Sequence, residues 1–214
     1  MTDLRITEIF RSLQGEADTV GWPTVFVRLT GCPLRCFYCD SEYAFHGGEK
    51  QSLEAVLARV KDFDTSKICV TGGEPLAQPE CLSLLARLCD ASYEVSLETS
   101  GALPVERVDS RVSIVMDLKG PSSGEVDKNR YENLAHLKGK DQVKFIIADR
   151  ADYEWARFKV DEYGIVNKVK NVLFSPSFDV LSATDLAEWI LDDGLAVRLQ
   201  VQLHKYLWGD KPGV

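Results

Sequence analysis

The 214-residue chain contains no run of about 18 apolar residues, the length a helix needs to cross the hydrocarbon core of a bilayer. It also lacks any basic cluster: 25 Lys and Arg are dispersed among 33 Asp and Glu, giving a net charge of −8 and a pI of about 5.0. Stable binding to nucleic acid is therefore not expected, because phosphate contacts need clustered cations. Met1-Thr2-Asp3-Leu4-Arg5 has neither the basic start nor the apolar middle of a secretory signal, so a cytoplasmic location is expected. No internal repeat, linker or low-complexity stretch divides the chain, and one domain over 1–214 is the expectation. With 45% apolar residues, the chain is long enough to bury a sizeable core.

Disulfides are not expected from the 6 cysteines either. In a reducing compartment, closely spaced thiols are metal ligands or catalytic groups. Cys69, Cys81 and Cys89 lie inside apolar patterns and read as ordinary buried residues. Cys32, Cys36 and Cys39 form C-x3-C-x2-C and can converge on one centre from a single loop. A closed tetrahedral site needs a fourth ligand. An iron–sulfur cube on three cysteines instead leaves one iron open for chemistry. Structural zinc with His46 as fourth ligand is the plain alternative, although x3 followed by x2 is not the paired zinc-ribbon spacing.

Strands and helices alternate around this loop. Leu4–Phe10 has period-two alternation, and Thr24–Thr30 is a β-branched, apolar run that leads straight into the cysteines. Arg28 near the end of that strand is notable, since a buried Arg has an anionic partner, which an acidic neighbour can supply. Helical spacing begins at Ser52 with Leu53, Val56, Leu57 and Val60. Ile68–Thr71, Tyr93–Leu97, Val112–Met116, Gln142–Ala148, Asn171–Phe174 and Ala196–Leu203 read as further strands. Helices are expected over about Pro79–Cys89, Asn129–Leu137, Ala151–Tyr163 and from the capping-box stretch Ser182–Asp185 to about Leu191. About six such units imply an α/β fold, a partial, open (β/α)6-type barrel with a parallel sheet. The polar segments Cys32–Cys39, Thr71–Pro75, Glu98–Gly101 and Asp117–Pro121 all follow strands, on the face where such folds bind ligands.

These residues carry a resemblance. C-x3-C-x2-C with Tyr38 before the last cysteine, together with Gly72-Gly73-Glu74-Pro75, resembles radical S-adenosylmethionine (SAM) enzymes. The ordered set Leu13-Gln14-Gly15-Glu16, Phe26-Val27-Arg28-Leu29, Cys39-Asp40-Ser41, Thr71–Pro75 and Glu98–Gly101 is similar to the 7-carboxy-7-deazaguanine synthase family. The similarity extends to Gln202-Leu203-His204-Lys205. It implies a [4Fe-4S] cluster on Cys32, Cys36 and Cys39, with SAM on the open iron; one electron into the sulfonium then yields a 5′-deoxyadenosyl radical.

Tyr38, Cys39, Asp40, Gly72, Gly73, Glu98 and Ser100 are implied to bind SAM. Glu74 either accepts from its ammonium or braces the turn. Lys119 is implied only by position, because Asp117-Leu118-Lys119-Gly120-Pro121 stands where many members have Ser-Pro-Lys. The implied substrate is 6-carboxy-5,6,7,8-tetrahydropterin, held at Leu13, Gln14, Gly15 and Thr71, with Arg28 clamping its carboxylate. Ser41 is implied to hold Mg2+, which prefers oxygen ligands. Ala17 departs from the frequent Gln-Gly-Glu-Gly turn. His204 and Lys205 read as packing or capping residues, and Trp155, Trp189 and Trp208 as core or interface. A homodimer and a flavodoxin-like electron donor complete what the family implies. A glycyl-radical-enzyme activase, or a non-enzymatic iron–sulfur or zinc module, is the rival reading.

Overall fold

A computed structural model describes residues 3–209, 211 and 213. The strands are β1 (Asp3–Leu13), β2 (Pro23–Leu29), β3 (Glu49–Ser52), β4 (Lys67–Gly72), β5 (Glu94–Thr99), β6 (Ser113–Leu118), β7 (Gln142–Ile147), β8 (Asn171–Pro176) and β9 (Arg198–Leu199). The helices are α1 (Leu53–Lys61), α2 (Cys81–Asp90), α3 (Arg150–Tyr163), α4 (Ala183–Asp192) and α5 (Leu203–Trp208). All strands form one sheet in the order β3-β1-β2-β4-β5-β6-β7-β8-β9. From β2 to β9 every neighbouring pair is parallel, as in a partial, open barrel.

The two faces of these strands carry opposite chemistry, because successive side chains point to opposite sides. Val25, Val27, Ile68, Val70, Leu97, Met116, Val143, Phe145 and Phe174 join helix residues such as Val56, Leu84, Leu88, Tyr153 and Leu186 in the main core. Burying each such side chain stabilises by roughly 1.5–3 kcal/mol. The alternate positions include Arg28, Thr71, Glu98, Asp117 and Lys144, which face a cavity. Ala17, Val115 and Leu173 form a separate small apolar cluster. The carboxyl ends of β2, β4, β5 and β6 run into the four polar segments singled out in the sequence.

Four features depart from the alternating pattern. β1 is antiparallel to β2, with no helix between them, and also pairs with β3. β3, Glu49-Lys50-Gln51-Ser52, has no apolar alternation; it exists because Asp3–Ile6 offers an edge to pair with. The expected helix over 129–137 is replaced by 3-10 turns at Val126–Lys128 and Tyr131–Ala135. There the Asn133 amide nitrogen donates to Gly101 O (3.0 Å) and Leu103 O (2.9 Å), while its oxygen accepts from Val105 N (3.2 Å). Asn129 brackets the backbone of Lys119 in the same way. Side chains that bond local backbone compete with a helix ladder. The last strand covers only Arg198–Leu199, and Leu203 already starts α5.

Candidate active site

The cysteine loop leaves β2 after Leu29 and is held from below by the Gly72–Pro75 turn. Gly73 N donates to Leu29 O (3.1 Å) and Glu74 N to Gly31 O (2.8 Å). Gly72 has φ +154, and a Cβ on Gly73 would sit 2.3 Å from Gly31 O and 2.8 Å from Cys32 Cβ. These glycines therefore let two backbones touch. Glu74 is fully buried. Its carboxylate accepts from Leu76 N (2.9 Å), Thr99 Oγ1 (2.9 Å), Ser100 N (2.7 Å) and the Ser100 hydroxyl. Those bonds occupy its acceptor capacity. These bonds brace the turn against β5.

Within the loop, Leu34 N donates to Cys32 Sγ (3.4 Å), and Arg35 Nη1 ties back to Cys32 O (2.8 Å) while its guanidinium stacks on Phe45 (4.3 Å). The three cysteines are free thiols and half-buried. Burial pushes Cys36 and Cys39 up, and the Lys119 ammonium acts in the opposite sense. His46 sets its ring edge-on to Phe45. Among the described residues, no three His, Cys, Asp or Glu side chains are arranged to hold a single metal ion.

A cavity of about 480 Å3 opens beside this loop. Its wall brings together Leu13, Gln14, Gly15, Arg28, Tyr38, Cys39, Asp40, Ser41, Thr71, Gly73, Glu98 and Lys119 from the predicted residues, with Cys36. Cys32, Gly72, Glu74 and Ser100 are not on that wall. Glu74 and Ser100, both expected to contact SAM, are bonded to each other, and Gly72 lies against the Leu29 backbone. Glu98, implied to bind SAM, accepts from Gln14 Nε2 (3.3 Å) and Thr71 Oγ1 (3.2 Å). It thus groups with the residues expected at the substrate end.

Arg28 pairs through Nε with Glu8 Oε1 (2.7 Å), and its guanidinium lies over Tyr43 (5.6 Å) and Phe10 (5.9 Å). Burial opposes its charge, but Tyr43, Glu8 and Glu98 outweigh burial and keep it protonated. Its two terminal nitrogens donate to no protein group among the described residues. An anion in the cavity would meet that free fork.

The rest of the wall is a continuous polar belt that sequence reasoning missed. Lys119 Nζ pairs with Asp117 Oδ2 (2.8 Å), Lys144 Nζ with Asp117 Oδ1 (3.3 Å) and with Glu16 Oε2 (2.7 Å). Gln202 Nε2 then donates to both Glu16 Oε1 (2.9 Å) and Asp40 Oδ2 (3.1 Å), and Ser41 Oγ donates to Asp40 Oδ1 (2.8 Å). Burial alone would raise Asp40; bonds from Ser41 and Gln202, with the Lys144 and Lys205 charges, hold it below its ordinary value. Leu203 N donates to Gly15 O (3.0 Å), and a Cβ on Gly15 would sit 2.0 Å from His204 Nδ1. His204, expected only to pack, also lines the cavity, and burial lowers its pKa. The available signal was the charge itself: Asp117 and Lys144 interrupt apolar strands, and they are partners in the β6–β7 register.

Three thiols on one loop, at the carboxyl end of an open parallel sheet and beside a charged cavity, define a radical SAM protein. The Radical SAM superfamily matches residues 26–117, the stretch from β2 into β6. Over nearly its whole length the chain is 45% identical to the 7-carboxy-7-deazaguanine synthase of Koribacter versatilis, covering 96% of this chain and 97% of the relative. It is also 45% identical to that of Chlorobaculum tepidum, covering 99% and 97%. The chain belongs to the 7-carboxy-7-deazaguanine synthase family. Among solved structures, QueE from Escherichia coli shares the fold, with a TM-score of 0.77 at 23% identity over 95% of this chain and 96% of that one. Streptococcus suis SuiB bound to S-adenosylmethionine matches with a TM-score of 0.57 at 14% identity, over 80% of this chain and 45% of that one.

The class carries a [4Fe-4S] cluster and SAM, and the residues present suit both. Cys36 and Cys39 reach the cavity wall, and Cys32 receives a backbone N–H on its sulfur. The Tyr38 hydroxyl, between these cysteines, is buried without a hydrogen-bond partner among the described residues, as expected where a bound group completes the wall.

Proposed function

We propose that the chain converts 6-carboxy-5,6,7,8-tetrahydropterin to 7-carboxy-7-deazaguanine with release of ammonia, a ring-contracting lyase step of queuosine or other 7-deazapurine biosynthesis. The observation that carries this reading is one cavity in which the cysteine loop faces the open fork of Arg28. When bound and reduced, the cluster and SAM supply a radical able to remove a hydrogen atom from C6. The protein orients and shields. Cys32, Cys36 and Cys39 ligate the cluster; Tyr38, Asp40, Gly73 and Lys119 form the SAM side. Arg28 clamps the substrate carboxylate, and Leu13, Gln14, Gly15 and Thr71 hold the ring. Glu98 belongs with them, because its bonds from Gln14 and Thr71 are long and it lines the cavity beside them. Ser41 offers an oxygen to Mg2+, with Asp40 behind it.

The same reading makes 1–214 a single working unit in the cytoplasm, reduced by a flavodoxin-like donor. It acts as a homodimer with the C-terminal helix at the contact, where Tyr206, Leu207 and Trp208 are exposed. No helix among the described residues is long and apolar enough to cross a membrane.

Anaerobically reconstituted protein, incubated with reductant, SAM, Mg2+ and the carboxytetrahydropterin, should release ammonia and the deazaguanine in equal amounts. Labile sulfide and four irons per chain without product would end this reading.

A further inference from the structure

We propose that Glu125 is a positioning residue for the cysteine loop. From a pinned turn after β6 its carboxylate holds the Arg35 backbone, and through Arg35 it sets Cys32 and Cys36 before a cluster binds. The inference rests on the reading that Cys32, Cys36 and Cys39 ligate the cluster, and on nothing about the pterin.

Burial does little to hold this loop. Within Cys32–Cys39 only Leu34 is buried, and Phe37 is 84% exposed. Its order therefore depends on hydrogen bonds. Two of its amides donate outside the loop, Arg35 N to Glu125 Oε1 (2.5 Å) and Phe37 N to Ser123 O (3.1 Å). Both acceptors lie in one segment between β6 and β7. Arg35 passes the constraint on, because its Nη1 donates to Cys32 O (2.8 Å) and Leu34 O (2.6 Å). The halves of the loop before and after Cys36 thus hang from neighbouring residues of a second loop.

That second loop is itself fixed. Asn129 closes it, accepting from Lys119 N (2.8 Å) and donating to Lys119 O (2.8 Å) and Val126 O (2.9 Å). Asp152 on α3, fully buried, accepts from Ser122 N (2.9 Å) and Ala148 N (3.0 Å). The Ser123 hydroxyl donates to Gly120 O (2.6 Å) and accepts from Glu125 N (3.0 Å). Gly124, at φ +73, turns the chain between the two acceptors, and a Cβ there would sit 2.7 Å from Phe37 Cε2. The same loop carries Lys119 on the cavity wall, so the cysteines and that wall keep one register. A carboxylate on a backbone N–H makes a strong, charge-assisted bond. Groups that orient ligating residues without touching the metal govern how tightly it is held.

Amide exchange in the cluster-free protein reads this clamp directly. In Glu125→Ala the Arg35 N–H should exchange about tenfold faster than in wild type, with the Phe145 amide and the melting temperature unchanged. Glu125→Gln keeps a side-chain oxygen at the same place and should restore most of the protection. Gly124→Ala, which displaces the Phe37 ring, should speed exchange at Phe37 more than at Arg35. After anaerobic reconstitution, Glu125→Ala should lose iron to an external chelator about tenfold faster than wild type, and Glu125→Gln at close to the wild-type rate. Unchanged Arg35 exchange in Glu125→Ala, or faster exchange with unchanged iron loss, would overturn the proposal. So would a Glu125→Ala chain that fails to fold or exchanges faster at Phe145 as well, since either marks a general structural role. Wild-type protein that takes up no [4Fe-4S] cluster would instead remove the cysteine reading, and the proposal with it. None of these measurements needs the pterin.

Discussion

On β7, Val143, Phe145 and Ile147 enter the main core, whereas Lys144 and Ile146 stand on the cavity wall. The same division runs through β6, where Met116 and Leu118 are core and Asp117 is wall. One face of each strand is dry and interdigitated with helices; the other is an array of charges with incomplete partners. The helix-covered face holds its shape by shared burial, so its residues are replaceable by volume and not by identity. The cavity face is held by directional contacts between unlike groups, each with a particular donor and acceptor. Placing both on one backbone means that a rigid apolar layer locates the charges.

Phe145→Ala should give the largest effect. It opens a void among Trp155, Phe174 and the core, with ring centroids 5.9 and 5.4 Å away. A loss of about 3–5 kcal/mol in unfolding free energy is expected. The turnover of the remaining folded fraction should be near wild type, as measured by urea titration and an active-fraction assay. A collapse of turnover at full folding would dissolve the distinction between the faces.

Arg28→Ala should do the reverse. Turnover should fall at least about 10^2-fold, since a clamp to an anion is worth several kcal/mol. Stability should change by only about 1 kcal/mol, the scale of a partly exposed pair with Glu8. Iron and sulfide content should stay at the wild-type level. Loss of folding instead would mean that Arg28 serves the ion pair and not the ligand.

Gln202→Leu should give the smallest of the three, about a tenfold loss of turnover. It removes a nitrogen that bridges Glu16 and Asp40, at 2.9 and 3.1 Å. The expected signature is faster amide exchange at Leu203, whose N–H is bonded to Gly15 O, with no change at Phe145. An unchanged Leu203 would show that the C-terminal segment docks without this bridge.

Much of this was legible beforehand. Periodicity located β2, β4 to β8, α1, α3 and α4 to within a few residues, because each has a face that must be buried. The cysteine spacing and the segments after β2, β4, β5 and β6 placed the site at one end of the sheet. What stayed hidden depended on partners far away in sequence. β3 is visible only as the partner of Asp3–Ile6. Glu98 carries no mark that separates a contact to SAM from a place beside Gln14 and Thr71, residues 84 and 27 positions away. Nothing in the order of residues marks Thr99 and Ser100, 25 and 26 positions on, as donors to the Glu74 carboxylate.

The chain's order of residues thus decided the secondary structure, the open α/β sheet and the identity of the cysteine loop, since these follow from local spacing and from apolar faces seeking burial. Tertiary structure alone decided which charges meet. Lys144 reaches Glu16 across 128 positions, and Gln202 reaches Asp40 across 162. A buried charge has no pattern of its own in sequence; it is tolerated only where folding delivers its counter-charge.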